Sequence, residues 1–368
     1  MKVLCVLGTR PEAIKIAPVI TELKFYKRAG IETVVCATGQ HREMLDSVLS
    51  LFDIIPDYDL DLMKFNQSLG DLTANLLLNL RPVIQREKPD WILVQGDTTT
   101  AMVGALAGFY ERVKVGHIEA GLRTGDKAHP FPEEINRKIA DHICDLHFAP
   151  TEIARNNLLA EGIKKASIYV TGNTVIDALH SMIRQPFQWV DSPLAEILAD
   201  RRIVLVTAHR RENFGEPLEN ICLALLELVD RYPDIQVVYP VHLNPNVQKM
   251  VTKHLAGKER IFLLDPLDYL PFIQLINRSY LVLTDSGGLQ EEVPALGKPV
   301  LVMRETTERP EAIEAGTARL VGTNRQNIVR EVSRLLDDTL AYQQMAQAKN
   351  PFGDGHASEL IVKAMLAF

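Results

Sequence analysis

Cysteine is scarce in this 368-residue chain, which has four. No two of Cys5, Cys36, Cys144 and Cys222 have the CxxC spacing of a zinc-ligand pair or a redox dithiol. Three of them stand in apolar runs, so we expect reduced cysteines in a hydrophobic core, as in a cytosolic protein. The sequence therefore predicts neither a zinc site nor a redox dithiol.

Long apolar runs and an excess of positive charge are missing as well. The longest apolar segments have the length of a strand and are too short to cross a bilayer. The chain begins Met1-Lys2 and continues directly into a strand, without the regions of a signal peptide. The net charge of −7 does not favour a polyanion-binding surface. We therefore expect a cytoplasmic protein that binds neither a membrane nor nucleic acid.

Hydrophobic residues make up 46% of the chain, enough for a sizeable core, and its length fits two domains of roughly 150–200 residues. Apolar segments of strand length alternate with segments of helix length, which indicates parallel sheets covered by helices on both faces. The predicted strands are Lys2–Gly8, Glu32–Thr38, Asp90–Gly96, Val113–Ile118, Leu146–Pro150, Ser167–Thr171, Ile203–Ala208, Gln236–Val241, Ile261–Asp265, Leu281–Thr284, Val300–Met303 and Arg319–Val321.

Two sets of six strands favour an α/β protein with two Rossmann-like, doubly wound domains over a single eight-stranded barrel. The weakly periodic stretch Asn173–Leu198 is the predicted break. The sequence thus predicts an N-terminal domain of residues 1–172 and a C-terminal domain of residues 173–354. By analogy with other two-domain folds of this kind, helix 355–368 is expected to pack back on the first domain.

Ligands of open α/β sheets bind at the carboxyl ends of the strands, so the residues that follow each strand are the candidates for a site. The first predicted strand ends in Gly8-Thr9-Arg10-Pro11, and a helix with Lys15 in its first turns follows. Arg10 and Lys15 near the positive end of a helix favour an anionic ligand. This segment has neither GxGxxG nor a Walker loop, so dinucleotide or ATP binding is not predicted.

Three carboxylates occupy similar positions. Asp97 and Glu119 each follow a nearly all-apolar strand, and Glu133 opens a helix after a Pro-x-Pro segment. If the two strands are neighbours in the sheet, repulsion and partial burial would raise at least one pKa, which suits acid–base chemistry. Two simpler interpretations stay open: Asp97 as part of a helix cap, and Glu133 as a partner of the helix dipole.

The second half of the chain carries residues suited to a nucleotide diphosphate. The strand before Asp285 runs into Ser286-Gly287-Gly288 and a helix, where backbone N–H groups are able to approach a phosphate closely. An acidic residue one turn further along this helix is suited to hold ribose hydroxyls. His209-Arg210-Arg211 follows the first strand of this half and indicates a second anion-binding segment.

In this order the motifs resemble those of the non-hydrolysing UDP-N-acetylglucosamine 2-epimerases, over essentially the whole chain. The matching segments are Gly8–Lys15, Gln40–Leu45, Gly96–Thr100, His117–Gly125, Pro132–Arg137, Gly172–Asp177, His209–Gly215, Tyr239–Asn246 and Thr284–Arg309. The resemblance implies a glycosyltransferase-B-like fold, in which two Rossmann-like domains face each other across a cleft. It also implies a homodimer, a UDP-binding C-terminal domain, and no metal or redox cofactor.

The resemblance also implies roles for individual residues. The catalytic, substrate-contacting positions are Arg10, Lys15, Asp97, Glu119, Glu133 and His209. The positions around the UDP are Phe272, Ser286, Gly287, Gly288, Glu292 and Arg309. Bacterial members bind a second UDP-N-acetylglucosamine as an allosteric activator, and the matching positions are Gln40, Glu43, Arg210, Glu212 and His242. Beside Glu133, His129-Pro130-Phe131 stands where relatives have Ser-Pro-Trp. The resemblance therefore does not determine which acyl-amino group the pocket accepts.

The implied reaction is the reversible inversion of C2 in UDP-N-acetylglucosamine, through elimination of UDP to a 2-acetamidoglucal and its re-addition, which supplies polysaccharide precursors. Four alternatives stay open at this point. They are a hydrolysing 2-epimerase that releases UDP and N-acetylmannosamine, an enzyme for a related UDP-2-acetamido sugar, a retaining glycosyltransferase, and a catalytically silent UDP-sugar sensor.

Overall fold

The computed structural model describes residues 1–39, 42–63, 67–197 and 200–368, the side chains of 42–44 excepted. The chain divides into two units. Unit 1 comprises Met1–Ala178 and Phe352–Phe368, and unit 2 comprises Leu179–Pro351. The division falls a little after the predicted boundary at 172/173. No helix in the described part of the chain is long and apolar enough to span a membrane.

Unit 1 is built on a parallel sheet of seven strands in the order β3-β2-β1-β4-β5-β6-β7. These strands are β1 (Lys2–Leu7), β2 (Glu32–Ala37), β3 (Tyr58–Asp59), β4 (Trp91–Gln95), β5 (Lys114–Ile118), β6 (Leu146–Ala149) and β7 (Ile168–Val170). Its helices are α1 (Arg10–Phe25), α2 (Arg42–Leu51), α3 (Leu69–Glu87), α4 (Thr99–Tyr110), α5 (Glu133–Ile143), α6 (Glu152–Ala160) and α7 (Thr174–Ile183), which continues into unit 2.

Both faces of this sheet are buried, which explains why its strands are continuous apolar runs. Val3 and Cys5 of β1 belong to one hydrophobic cluster, while the alternating Leu4 and Val6 belong to the other. The four cysteines of the chain are free and buried. The residues at the N-caps determine where several helices begin, because their side chains accept hydrogen bonds from backbone N–H groups of the first turn. Thr9, Thr98 and Thr151 do this at α1, α4 and α6.

Unit 2 repeats the design with a parallel sheet of six strands in the order β10-β9-β8-β11-β12-β13. These strands are β8 (Arg202–Thr207), β9 (Ile235–Pro240), β10 (Ile261–Leu264), β11 (Leu281–Thr284), β12 (Val300–Val302) and β13 (Ala318–Leu320). Its helices are α8 (Glu216–Arg231), α9 (Pro245–Leu255), α10 (Tyr269–Arg278), α11 (Leu289–Glu292), α12 (Pro310–Glu314), α13 (Arg325–Asp337) and α14 (Thr339–Ala346).

The last helix of the chain, α15 (Ala357–Ala367), is part of unit 1. Its Ile361 and Val362 are fully buried in the same cluster as Ile16 of α1. Asp177 anchors the start of the helix, because its carboxylate accepts the Ser358 backbone N–H at 2.8 Å and the Ser358 hydroxyl at 2.6 Å. The C-terminal helix therefore completes the core of the N-terminal sheet.

The predicted α/β class with two doubly wound, Rossmann-like sheets is confirmed. All twelve predicted strands coincide with strands, and prediction missed β3, an edge strand of two residues that is too short to produce a periodic pattern. The strand order reverses direction between β1 and β4 in unit 1 and between β8 and β11 in unit 2. Such reversal points at the carboxyl ends of the strands are where ligands bind in open α/β sheets.

Candidate active site

A cavity of about 540 Å³ opens at the reversal point of unit 1. It lies at the carboxyl ends of β1, β4 and β5 and is closed by the start of α5. The five catalytic residues predicted in this unit all line it: Arg10, Lys15, Asp97, Glu119 and Glu133. The register of the sheet explains why, since Gln95 of β4 pairs with Ile118 of β5 and the residues after both strands leave the sheet side by side.

Glu119 is the most deeply buried of the predicted carboxylates, with 5% of its surface exposed. Its backbone has φ +66°, a left-handed conformation that is strained for a residue other than glycine. One carboxylate oxygen, Oε2, accepts hydrogen bonds from Lys15 Nζ, from Gln95 Nε2 at 2.9 Å and from Asn173 Nδ2 at 3.4 Å. The protein thus holds this carboxylate in one place with a cation and two amides.

Asp97 is tied to the same region by helix α5. Arg137 donates a hydrogen bond to the Asp97 carboxylate, and the same Nη2 lies 4.0 Å from Glu119 Oε1. Asn136 donates to the Asp97 backbone carbonyl at 3.0 Å. The repulsion expected between the two carboxylates is therefore offset by a cation between them. The Asp97-Thr98-Thr99 segment does cap α4, but through the Thr98 side chain and not through Asp97.

The two glutamates that open α5 have different surroundings. Glu134 is buried and accepts the backbone N–H groups of Thr124 and Gly125 at 3.1 Å and 3.2 Å, so it holds the preceding loop. Glu133 is half-buried and lines the cavity. The departure in sequence next to it is on the surface, since Phe131 is 69% exposed. Of the two glutamates, Glu133 is the one placed to meet a ligand.

Glu12, which sequence reasoning did not select, holds the start of α1 at the cavity. Its carboxylate accepts the backbone N–H groups of Gly8 and Thr9 at 3.1 Å and 2.7 Å and the Thr98 hydroxyl at 2.6 Å. Burial raises the pKa of Glu12 to about 7, although these hydrogen bonds act against it. The capping-box spacing of Thr9 and Glu12 is the sequence signal that would have found it. Arg10, the first residue of α1, is exposed at the rim of the cavity.

A second unpredicted group, His117, lies beneath the cavity. It is fully buried, with Nδ1 2.6 Å from Asp141 Oδ1 and Nε2 2.7 Å from the carbonyl oxygen of Gly96. Asp141 also accepts a hydrogen bond from Arg123 at 2.6 Å. Burial would raise the pKa of Asp141, but His117 and Arg123 outweigh it and lower the pKa to about 2. These bonds link the turn before Asp97 to helix α5.

In unit 2 the reversal point is organised around Asp285, which directly follows β11 and is fully buried. Its Oδ2 accepts the backbone N–H groups of His209 and Arg210, each at 2.8 Å, and Asn213 Nδ2 at 3.0 Å. His209 Nδ1 lies 3.3 Å from the other oxygen, Oδ1. The segment after β8 is therefore held against the end of β11 by one carboxylate.

The Ser-Gly-Gly segment follows Asp285 directly. Ser286 donates its backbone N–H to the Thr284 hydroxyl at 2.9 Å. An ideal Cβ on Gly287 would come no closer than 3.7 Å to a protein atom, and one on Gly288 no closer than 3.5 Å. Neither glycine has a positive φ. The fold of the unit therefore does not itself require glycine at these two positions.

The remaining predicted UDP positions are distributed around this segment. Arg309, at the start of α12, donates a hydrogen bond to Glu291, which is buried in α11. Glu292 and Phe272 are half-buried, the former at the end of α11 and the latter in α10. In the described part of the chain, no three carboxylate, imidazole or thiol groups are arranged to hold a metal ion.

Three of the five predicted allosteric positions are described in unit 2. Arg210 Nη1 lies 3.6 Å from Glu308, and Glu212 accepts a hydrogen bond from Arg304 at 2.6 Å. The His242 ring stacks on His209, with centroids 5.3 Å apart and planes 14° from parallel. Gln40 lies outside the described residues, and so does the side chain of Glu43.

A family model described as UDP-N-acetylglucosamine 2-epimerase matches residues 23–366. The chain belongs to the UDP-N-acetylglucosamine 2-epimerase family. A protein of that name from Yersinia pestis is 55% identical, over 99% of this chain and 98% of its own length. A crystal structure of UDP-GlcNAc 2-epimerase from Neisseria meningitidis bound to UDP-GlcNAc is 49% identical over 100% of both chains, with a TM-score of 0.88. A structure from Listeria monocytogenes is 48% identical over 100% of this chain and 96% of its own, with a TM-score of 0.94.

These relatives confirm the expected family and the expectation of an enzyme, an isomerase. Sequence motifs of the UDP-N-acetylglucosamine 2-epimerases located the cavity residues of unit 1 and the Ser-Gly-Gly segment of unit 2. These motifs did not indicate which neighbouring groups hold those residues in place. Gln95, Arg137 and Asn173 lie in or beside the matched segments, but their contacts with the carboxylates depend on sheet order and could not be derived from spacing.

Proposed function

We propose that the protein interconverts UDP-N-acetylglucosamine and UDP-N-acetylmannosamine without releasing free sugar. The observation that carries this proposal is the cavity of unit 1, where Asp97, Glu119 and Glu133 converge. The Neisseria relative binds UDP-GlcNAc, and a relative from Staphylococcus aureus was solved with UDP. The substrate proposed here is therefore the nucleotide sugar that a 49% identical protein holds.

The proposed mechanism is elimination followed by re-addition. The bond between C1 and the diphosphate oxygen breaks, its electron pair leaves with UDP, and a carboxylate removes the proton from C2. The product is a 2-acetamidoglucal together with UDP. In the second half, a proton returns to C2 from the opposite face and UDP adds back to C1. Inversion therefore needs acid–base groups on both faces of the sugar, which several carboxylates in one cavity are able to supply.

The two units take different tasks in this proposal. The carboxylates of unit 1 exchange the proton of C2, a contribution of about 10²–10⁴ in rate for each well-placed group. In unit 2, His209, Arg309 and the N–H groups of Ser286–Gly288 stabilise the negative charge that grows on the departing diphosphate. Lys15 pairs with Glu119 and Arg137 with Asp97, so these cations hold the two carboxylates in place.

Proton NMR in D2O tests the proposal, with purified protein and UDP-N-acetylglucosamine as the only additions. We expect UDP-N-acetylmannosamine to form, with deuterium at C2 of both epimers and without accumulation of UDP. Free UDP together with N-acetylmannosamine would instead assign the protein to the hydrolysing class. Binding without exchange at C2 would contradict the proposal for this substrate and favour a sensor or a related UDP-2-acetamido sugar.

We also propose that the protein is a homodimer that associates through helices α3, α4 and α5. These helices pack side by side, and each leaves an apolar side chain in solvent. Leu78 is 70% exposed, Phe109 61%, and Ile135 and Ile139 38% each. Exposed apolar side chains of this size on three neighbouring helices favour an interaction surface. Light scattering on the purified protein measures its molar mass, which distinguishes a dimer from a monomer.

Activation by substrate at a second site stays a prediction for this chain. Its described candidates are Arg210, Glu212 and His242, which lie near the segment after β8. Initial rates against UDP-N-acetylglucosamine concentration test it, since activation gives a sigmoidal curve. We expect Glu212→Gln to change the sigmoidal character while leaving the C2 deuterium exchange at saturation in place.

A further inference from the structure

We propose that Asp285 is a positioning residue that fixes the His209 ring with its hydrogen on Nδ1, so that Nε2 exchanges a proton with the departing diphosphate. The inference rests on the proposed function, since it assigns a protonation task to His209 in that reaction. It adds a residue that the family motifs leave without a role.

The two oxygens of Asp285 have very different surroundings. Three N–H groups point at Oδ2, from the backbones of His209 and Arg210 and from the side chain of Asn213. Oδ1 is buried and has no hydrogen-bond partner in the described part of the chain, yet it lies 3.3 Å from His209 Nδ1. A buried acceptor without a partner is costly, and a small rotation of the imidazole would satisfy it.

This arrangement selects one tautomer of His209. An ionised carboxylate only accepts hydrogen bonds, so the ring nitrogen that faces Oδ1 has to carry a hydrogen. In the neutral ring the hydrogen then sits on Nδ1, and the Nε2 lone pair faces away from Asp285. A proton that binds at Nε2 creates an imidazolium whose charge the carboxylate balances. The same division of labour operates wherever a buried aspartate orients a catalytic histidine.

The proton balance follows from the charges. The imidazolium forms when the anionic nucleotide sugar binds and Nε2 takes up a proton from water. As the bond between C1 and oxygen breaks, its electron pair passes to the β-phosphate oxygen, and Nε2 donates its proton to that oxygen. Nε2 takes the proton back when UDP re-adds to C1. No co-reactant is needed, because the proton moves between His209 and the nucleotide alone.

Several groups face His209 and set its proton affinity. Burial lowers its pKa, the charge of Asp285 opposes this, and His242 and Arg210 lower it further, so that the pKa lies below its ordinary value. The His242 ring is stacked on His209, and its Nδ1 accepts the backbone N–H of Asn244 at 3.1 Å. A ring of lowered pKa is neutral in the empty protein and gains a proton when a diphosphate arrives, which suits reversible transfer.

The variant Asp285→Asn is informative because the surrounding N–H donors determine how the asparagine amide is oriented. Three N–H donors converge on the Oδ2 position, so the amide oxygen has to occupy that position. The amide nitrogen then faces His209 Nδ1 and donates to it, which places the ring hydrogen on Nε2. The substitution keeps the hydrogen bonds that hold the segment after β8, reverses the tautomer of His209 and removes the negative charge.

The first measurement is the tautomer itself, from long-range ¹⁵N–¹H NMR correlations of the imidazoles in the protein without nucleotide. His209→Gln identifies the signal by its disappearance. We expect Nδ1–H in the native protein and Nε2–H in Asp285→Asn. Nε2–H in the native protein would overturn the proposal whether or not any variant folds, and the result does not depend on epimerase activity.

The second measurement is function. We expect Asp285→Asn to lower kcat about 10²–10⁴-fold with a small change in KM. UDP binding needs the imidazolium, so UDP affinity should fall as the pH rises. In the variant the carboxylate no longer stabilises the imidazolium, so the fall should occur at a pH that is lower by about one unit or more. Asp230→Asn, an exposed substitution in α8, is the matched control and should match the native protein. A native-like kcat in Asp285→Asn would overturn the proposal. Nδ1–H without any epimerisation would leave the positioning of His209 by Asp285 standing and contradict the proposed function instead.

Discussion

Lys15 and Glu119 form an ion pair across 104 residues of sequence, between the first helix and the end of strand β5. Glu119 is 5% exposed, and the pair fixes its carboxylate at the wall of the cavity. Burying a carboxylate and straining its backbone both destabilise the fold, and packing alone does not explain why this residue is kept there. Of the proposed acid–base groups, Glu119 is therefore the first to test.

The substitution Glu119→Gln should strongly slow proton exchange at C2 while leaving the fold intact, because the amide fills the same space and retains an oxygen for Gln95 and Asn173. We expect kcat to fall about 10²–10⁴-fold. Loss of C2 deuterium incorporation in D2O measures it. Glu152→Gln, an exposed change in α6, is the matched control. An unchanged exchange rate in Glu119→Gln would remove this residue from the mechanism.

Arg137 offsets the repulsion between Asp97 and Glu119, so Arg137→Met should leave two carboxylates close together without their shared cation. This ion pair is part-buried, so breaking it should cost about 2 kcal/mol in the free energy of unfolding, between the values for exposed and buried pairs. Thermal unfolding measures the loss, and kcat should fall as well. Arg155→Met, whose cation pairs with Glu152 in α6, is the control and should cost less than about 1 kcal/mol. Equal losses in the two variants would contradict the bridging role.

Glu12 gives the protein a defined pH dependence. Its pKa is about 7 in the fold, raised by burial from an ordinary value of 4.5. The folded state therefore binds a proton that the unfolded state has released between these values, and stability falls as pH rises from about 4.5 to 7. The size of the fall is about 3 kcal/mol.

The variant Glu12→Gln isolates this effect, because glutamine also serves in a capping box. We expect the free energy of unfolding of the variant, relative to the native protein, to improve by about 3 kcal/mol between pH 5 and pH 8. Urea unfolding at the two pH values measures it. Parallel pH curves for the two proteins would show that Glu12 has an ordinary pKa.

Gly287 is expected to serve the nucleotide and not the fold. A Cβ there meets no protein atom within 3.7 Å, so Gly287→Ala should leave the melting temperature within about 2 °C and weaken UDP binding about tenfold or more. Calorimetric titration with UDP measures the affinity. Gly70→Ala in α3, whose Cβ would lie 3.8 Å from its nearest neighbour, is the matched control. Native affinity in Gly287→Ala would place the phosphates elsewhere.

The homodimer proposal predicts that Ile139→Glu converts the protein to a monomer, because a charge cannot be buried without a partner at the centre of an apolar contact. Light scattering coupled to size exclusion measures the mass. Ile153→Glu is the matched control, since Ile153 is 37% exposed against 38% for Ile139 and lies in α6. If both variants keep the native mass, the association surface is not on α5.

Much of the fold could be predicted because its signals are local. A strand that is buried on both faces is a continuous apolar run, and a helix that begins at Thr9 or Thr98 carries its cap in the sequence. Strand β3 escaped prediction because two edge residues make no pattern. The site was located for the same reason, since the residues after each strand can be read from where the strand ends.

The sequence by itself determined the class of the fold, the family and the cavity residues, because strands, caps and motifs are encoded within a few consecutive residues. Only the tertiary structure decided the partners: Lys15 for Glu119, Arg137 for Asp97, and Asp285 for the segment that carries His209. These residues meet because the strand order places β1, β4 and β5 together in one sheet and β8 beside β11 in the other. Contacts across a sheet depend on that order, and no local pattern in the chain specifies it.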